Sequence, residues 1–115
     1  MNDELANNRR YVRRSLKSRV TVVTQAGREH VGTLVDVSEH GFGITCYQPC
    51  TPGDVQMLAL LHLPEDHDGR RLAGLEARCV WCRRIGATHY ASGFAMQTVS
   101  EPARRLLEQL LQRNE

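Results

Sequence analysis

Turn-forming clusters cut this chain into pieces too short for anything but strands until it nears its C-terminus. Ala26-Gly27, residues 38–41, the Pro52-Gly53-Asp54 cluster, residues 64–69 and residues 84–89 recur at short intervals. Segments 19–25, 29–36, 42–47, 55–63, 70–83 and 90–96 lie between them, rich in Val, Leu and Thr. Six short strands punctuated by turns predict an all-β barrel or sandwich. In the second segment Val31, Thr33 and Val35 fall on one face, Gly32 and Leu34 on the other. The fourth reads as buried on both faces for part of its length. Residues 64–69 read as an acidic hairpin loop with Asp68-Gly69 at its tip, and Gly74 marks a bulge in the fifth strand.

Past Ser100 the period changes. Ser100 suits an N-cap and Pro102 the first helical turn, and Ala103, Leu106, Leu107, Leu110 and Leu111 share one helical face. Arg104, Arg105, Gln109 and Gln112 lie mostly on the other. A helix this short is not stable alone, so its leucines must dock on the barrel or on a partner.

Aromatic residues make up only 5% of the 115, so Val, Leu and Ile must build the core. The longest apolar run, residues 55–63, is broken by Gln56 and His62 and is too short to cross a bilayer. Residues 1–8 are polar and carry Asp3 and Glu4, which does not resemble a secretory signal. The expectation is a cytoplasmic chain with a flexible N-terminus, 1–8, and a single domain, 9–115.

Charge is uneven. Arg9, Arg10, Arg13, Arg14, Lys17 and Arg19 fall together with no acidic residue among them, and the remainder is slightly negative. Such a cluster is the footprint of an anionic partner or else a solvated arm. The cysteines, Cys46-x3-Cys50 and Cys79-x2-Cys82, invite a zinc reading. The second pair lies in a strand-like run without Gly or Pro, where residues three apart point to opposite faces. Packed thiols, with no metal and no cofactor, are therefore expected.

Two patterns carry chemistry. Arg9-Arg10-Tyr11-Val12-Arg13-Arg14 precedes the first strand, and Asp36-Val37-Ser38-Glu39-His40-Gly41 ends the second. In extended chain Asp36 and Ser38 present polar groups on the same side, and Gly41 permits a sharp turn or a close approach. A carboxylate suits the N1–H and exocyclic amine of guanine, while arginines fork onto phosphates, pair with guanine O6 and N7, and stack on bases. His40 reads equally as a ligand contact or a solvated turn residue. Trp81 reads as a base stack, or as a core or rim residue. Ser38 has no base arranged beside it, so no nucleophile is read there, and no enzyme is expected.

In this order the two patterns resemble the RxxxR and (D/N)xSxxG motifs of the PilZ family, as Arg9-Arg-Tyr-Val-Arg13 and Asp36-Val-Ser-Glu-His-Gly41. Pro52-Gly-Asp-Val-Gln-Met-Leu58, Ala77-Arg-Cys-Val-Trp81 and Gly93-Phe-Ala-Met96 are similar to later strands of that family, so the resemblance spans residues 9–112. Met96 stands where the family commonly has Phe, and the basic run after Arg13 exceeds the motif. The resemblance implies a six-stranded antiparallel barrel with a C-terminal helix that binds cyclic di-GMP. It implies that Arg9 and Arg13, helped by Arg10, grip phosphates and guanine faces, while Asp36, Ser38 and Gly41 hold a guanine edge. Arg10 and Arg14 also spell the first motif; the double arginine at its start favours the Arg9 frame. With no output domain in the chain, a receptor of this kind acts in trans on an effector protein, not on DNA and not by membrane insertion. The alternatives are an adaptor of the same fold that is silent to nucleotide, and a small nucleic-acid-binding barrel, which the low aromatic content disfavours.

Overall fold

The computed structural model of the chain describes residues 14–15 and 19–113. The N-terminus expected to be flexible, 1–8, lies outside them. Seven strands run in chain order: β1 (Arg14–Ser15), β2 (Thr21–Thr24), β3 (His30–Val37), β4 (Gly41–Cys46), β5 (Val55–Leu61), β6 (Gly74–Arg84) and β7 (Tyr90–Val99). A short helix, α1 (Pro64–His67), joins β5 to β6, and α2 (Glu101–Arg113) follows β7. All strand pairings are antiparallel, in the order β3-β2-β5-β6-β7-β4, and β4 pairs back onto β3. The result is the expected closed six-stranded barrel with a C-terminal helix. Closure leaves no long open edge.

β1 is the addition that sequence did not foretell. β2 occupies one edge of β3 only as far as Thr33, opposite Thr21. Further along, β1 pairs with β3, Arg14 opposite Val37 and Ser15 opposite Asp36. The basic arm therefore joins the sheet at the end of β3.

The interior is aliphatic around one aromatic pair. Val20, Val22, Leu34, Val37, Ile44, Leu58, Leu60 and Leu75 are buried, and Phe42 stacks on Phe94 at 5.3 Å between ring centres. Three successive residues of β5, Leu58–Leu60, are buried, as expected of a strand covered on both faces for part of its length. α2 caps the barrel. The Ser100 hydroxyl accepts the Ala103 amide at 3.3 Å, and Ala103, Leu106, Leu107 and Leu110 pack into the core. Arg104 and Arg105 face outward and pair with Glu101 and Glu108. Among the described residues, no helix is long and apolar enough to cross a membrane.

Two local expectations are overturned between β5 and β6. The acidic hairpin loop is instead built around α1, and Asp66 within it is fully buried. Its carboxylate accepts the His62 and Leu63 amides at 2.9 and 2.8 Å and a two-pronged contact from Arg71 at 2.7 and 2.9 Å. An acidic side chain that folds back onto the amides of a helix start looks in sequence like any loop aspartate. β6 begins at Gly74 rather than at residue 70, because residues 70 and 71 wrap around α1: both amides donate to the Glu65 carbonyl, at 2.8 and 3.1 Å. The irregularities in β6 fall not at Gly74 but between Glu76 and Ala77 and between Cys79 and Trp81.

Candidate functional site

Strict alternation along β3 would send Asp36 into the barrel with Gly32 and Leu34, which are buried. A bulge between Leu34 and Asp36 prevents this. Val35 is the extra residue and is exposed; Asp36 then also faces outward, and Val37 returns to the core. β6 repeats the device. Cys79 is buried, Val80 is the unpaired residue and is exposed, and Trp81 is turned to the outer surface, half-buried. Bulges re-aim side chains in this way at the cost of one ladder position.

The two re-aimed residues end one row. Trp81 pairs with Gly93, Gly93 with Gly43, and Gly43 with Asp36, across β6, β7, β4 and β3. At about 4.8 Å between neighbouring strands the row measures roughly 14 Å from end to end. Its two inner positions carry no side chain. The Trp81 ring leans over Gly93, with Nε1 only 2.1 Å from where a Cβ would stand, and Asp36 leans over Gly43, with Oδ1 2.8 Å from the corresponding point. Both glycines are buried beneath these side chains, which present an indole and a carboxylate on one outer face, a pairing that suits a planar, hydrogen-bond-donating ligand. The Arg83 guanidinium sits over the Trp81 ring at 5.3 Å, a cation–π distance.

Beyond Asp36 the chain turns tightly. The Ser38 amide and hydroxyl both donate to the Gly41 carbonyl, at 2.9 and 3.3 Å, and Ser38 is buried. Glu39 and His40 are exposed at the tip, and the His40 carbonyl accepts the Met96 amide at 2.9 Å. Gly41 is held by packing: a Cβ there would stand 2.3 Å from the Phe94 carbonyl oxygen, a backbone atom of the facing strand. Gly41→Ala is thus expected to lower stability by about 1–3 kcal/mol through overpacking. An unchanged thermal melt would show that β4 and β7 have room there.

Of the residues singled out in the sequence, the structure brings Asp36, Ser38, Gly41 and Trp81 to one side of the barrel. Arg9, Arg10 and Arg13 lie outside the described residues. The backbone of β1 nevertheless runs beside Asp36 and Val37, so the arm enters the fold next to this face. Gly43 and Gly93 were missed as site residues. Their signal is a glycine inside a strand, between Phe42 and Ile44 and between Ser92 and Phe94, which marks a close approach.

The bulge in β6 also overturns the expectation that Cys79 and Cys82 point to opposite faces. With Val80 inserted, Cys82 returns to the inner side, opposite buried Ser92. Among the described residues, no group of three or more His, Cys, Asp or Glu side chains is arranged to hold a metal ion.

The family model described as PilZ domain matches residues 7–113. The fold is similar to the PilZ domain of YcgR from Escherichia coli solved with cyclic di-GMP, at TM-score 0.64 and 16% identity, over 91% of this chain and 89% of that one. It is similar to the Bacillus subtilis inhibitor of motility MotI (DgrA), at TM-score 0.63 and 16% identity, over 90% of this chain and 49% of that one. A YcgR structure from Escherichia coli in complex with cyclic di-GMP gives TM-score 0.62 and 17% identity, over 90% and 44%. At these identities the likeness speaks for the fold. No curated protein matches. The family match covers both motifs and every strand and helix described above, and with it the chain belongs to the PilZ domain family.

Proposed function

We propose that this chain is a receptor for cyclic di-GMP that works by changing its surface and engaging a partner protein in trans. The observation that carries the reading is the row Asp36–Gly43–Gly93–Trp81 with the basic arm entering beside it. A guanine lies against the outer face that Asp36 and Trp81 present. Asp36 accepts its N1–H and exocyclic amine, and the Ser38–Gly41 turn supports that edge. Arg9 and Arg13, assisted by Arg10, close over the phosphates and the exposed base face, and Trp81 bounds the far end. Ordering the arm costs binding energy and supplies the switch.

Membership of the family and the fold shared with YcgR, whose PilZ domain was solved with cyclic di-GMP, support this reading. A receptor rather than an enzyme is also supported by Ser38, whose hydroxyl donates to a backbone carbonyl and not to a base. The nucleotide-silent adaptor loses its main argument, since the leucines of α2 are buried against the chain's own barrel. The working assignment is one domain, residues 9–115, acting in the cytoplasm.

Selectivity tests the base contact. Adenine has no donors where Asp36 needs them, and a buried polar group left unpaired costs roughly 1–3 kcal/mol. Calorimetric titrations should show cyclic di-GMP binding about 5- to 150-fold more tightly than cyclic di-AMP. Equal affinities would mean that Asp36 reads no base.

A further inference from the structure

The function above leaves the four cysteines unused, yet the fold gathers them at one end of the barrel. β4 ends at Cys46, whose thiol donates to the Tyr90 carbonyl at 3.7 Å and lies 3.9 Å from the Ser92 hydroxyl. Cys82 is paired opposite Ser92 on the other side of β7. Cys50, in the segment that follows β4, lies between these two. Its amide donates to the Cys82 sulfur at 3.4 Å, and its thiol is close enough to influence that of Cys46. All four are free thiols.

Their surroundings divide them. Cys46 and Cys79 are buried, and burial first, then the neighbouring thiols, pushes each thiol up to about 11. Thiols that hold their protons so firmly are poor nucleophiles at neutral pH. Cys50 and Cys82 are only half-buried. Cys50 also lines an open cleft of about 200 Å³, with His30, Pro49, Thr51 and Asp54 among its walls. A small oxidant can therefore reach Cys50 while Cys82 waits behind it. Thiol chemistry needs no metal cage, and none is present among the described residues.

We infer that Cys50 and Cys82 form a reversible, peroxide-driven disulfide that ties the segment after β4 to β6 beside Trp81. The Cys50 thiolate attacks one oxygen of hydrogen peroxide; the O–O bond breaks, the other oxygen leaves as hydroxide, and Cys50 becomes a sulfenic acid. The Cys82 sulfur then attacks the Cys50 sulfur, the S–O bond breaks and water leaves. Two thiols and one peroxide give one disulfide and two waters, the two electrons passing from sulfur to oxygen. The Cys50 sulfur hangs three bonds from the nitrogen that already touches Cys82, so joining the sulfurs asks for side-chain rotation rather than movement of strands.

The test is peroxide treatment of the reduced full chain, followed by thiol counting under native conditions and tandem mass spectrometry without reductant. Before treatment two thiols should react readily with a thiol reagent and two only on unfolding. After treatment a Cys50–Cys82 cross-link should appear, vanish with a dithiol reductant, and shift the emission of the lone tryptophan next to Cys82. It should be lost in Cys50→Ser and Cys82→Ser and kept in Cys46→Ser and Cys79→Ser. Where a serine variant melts early, the cross-link map of the parent chain decides alone. A Cys46–Cys50 bond, irreversible oxidation of Cys50 without a cross-link, or stoichiometric metal in protein purified without added metal would each overturn the assignment.

Discussion

Alanine at Arg9 or at Arg13 is expected to weaken cyclic di-GMP binding about 10- to 150-fold, the equivalent of losing one charge-assisted contact worth roughly 1.5–3 kcal/mol. Arg14→Ala should be mild. In the Arg9 frame Arg14 supplies only diffuse positive potential, and its small effect should fade as salt is raised. Folding should survive in all three variants, since the core among the described residues starts at Val20, beyond all three arginines. The measurement is a nucleotide titration of each variant beside a thermal melt. A crippled Arg14→Ala with a normal Arg9→Ala would move the motif by one residue. Three variants that bind like the parent would remove the arm from the site.

Asp66→Ala is expected to destabilise the fold by about 3 kcal/mol, with a melting temperature about 10 °C lower or more. The carboxylate is fully buried and satisfies two backbone amides and both prongs of Arg71. Removing it leaves those amides unpaired and Arg71 without its anion; Arg71 is 29% exposed, so water recovers part of the loss. Burial alone would raise the Asp66 pKa, but the hydrogen bonds from Arg71, Leu63 and His62 outweigh it and hold the carboxyl below its ordinary value. The folded state thus binds this proton more weakly than the unfolded one. The stability it contributes is complete above the unfolded value near 3.8 and drains away as pH falls through the lower folded value. Asp68→Ala is the control. Its pair with Arg70 is exposed on both sides, and losing it should cost less than about 1 kcal/mol. Equal melts for the two variants would show that Asp66 does not anchor the β5–β6 connection.

Why the loop around Asp66 was illegible in the sequence, while the barrel was legible, has a physical basis. Turn residues and β-branched runs act locally, so the six strands and the Ser100-capped helix could be read one by one. Asp66 gains its role from Arg71, His62 and Leu63 only once the chain has folded back, and periodicity carries no trace of that. The site was half legible for a related reason. Asp36, Ser38 and Gly41 sit in a motif, but what aims Asp36 and Trp81 outward is a pair of bulges, each set by the register of a neighbouring strand. Alternation counted along a single strand gets both directions wrong after Val35 and after Val80, and it misplaced Cys82 by the same error. Gly43 and Gly93 make room for the Asp36 and Trp81 side chains only when β4 and β7 lie side by side.

A backbone-amide NMR titration of the unmodified protein with cyclic di-GMP reports both binding and place. Saturable shifts are expected at Asp36–Gly41, at Gly43 and Gly93 and at the indole N–H of Trp81, together with the arm ahead of β2, and none at Val55 and Met57. Spectra unchanged at saturating nucleotide, or shifts confined to the exposed β5 residues and sparing the Asp36–Trp81 row, would contradict the proposed site.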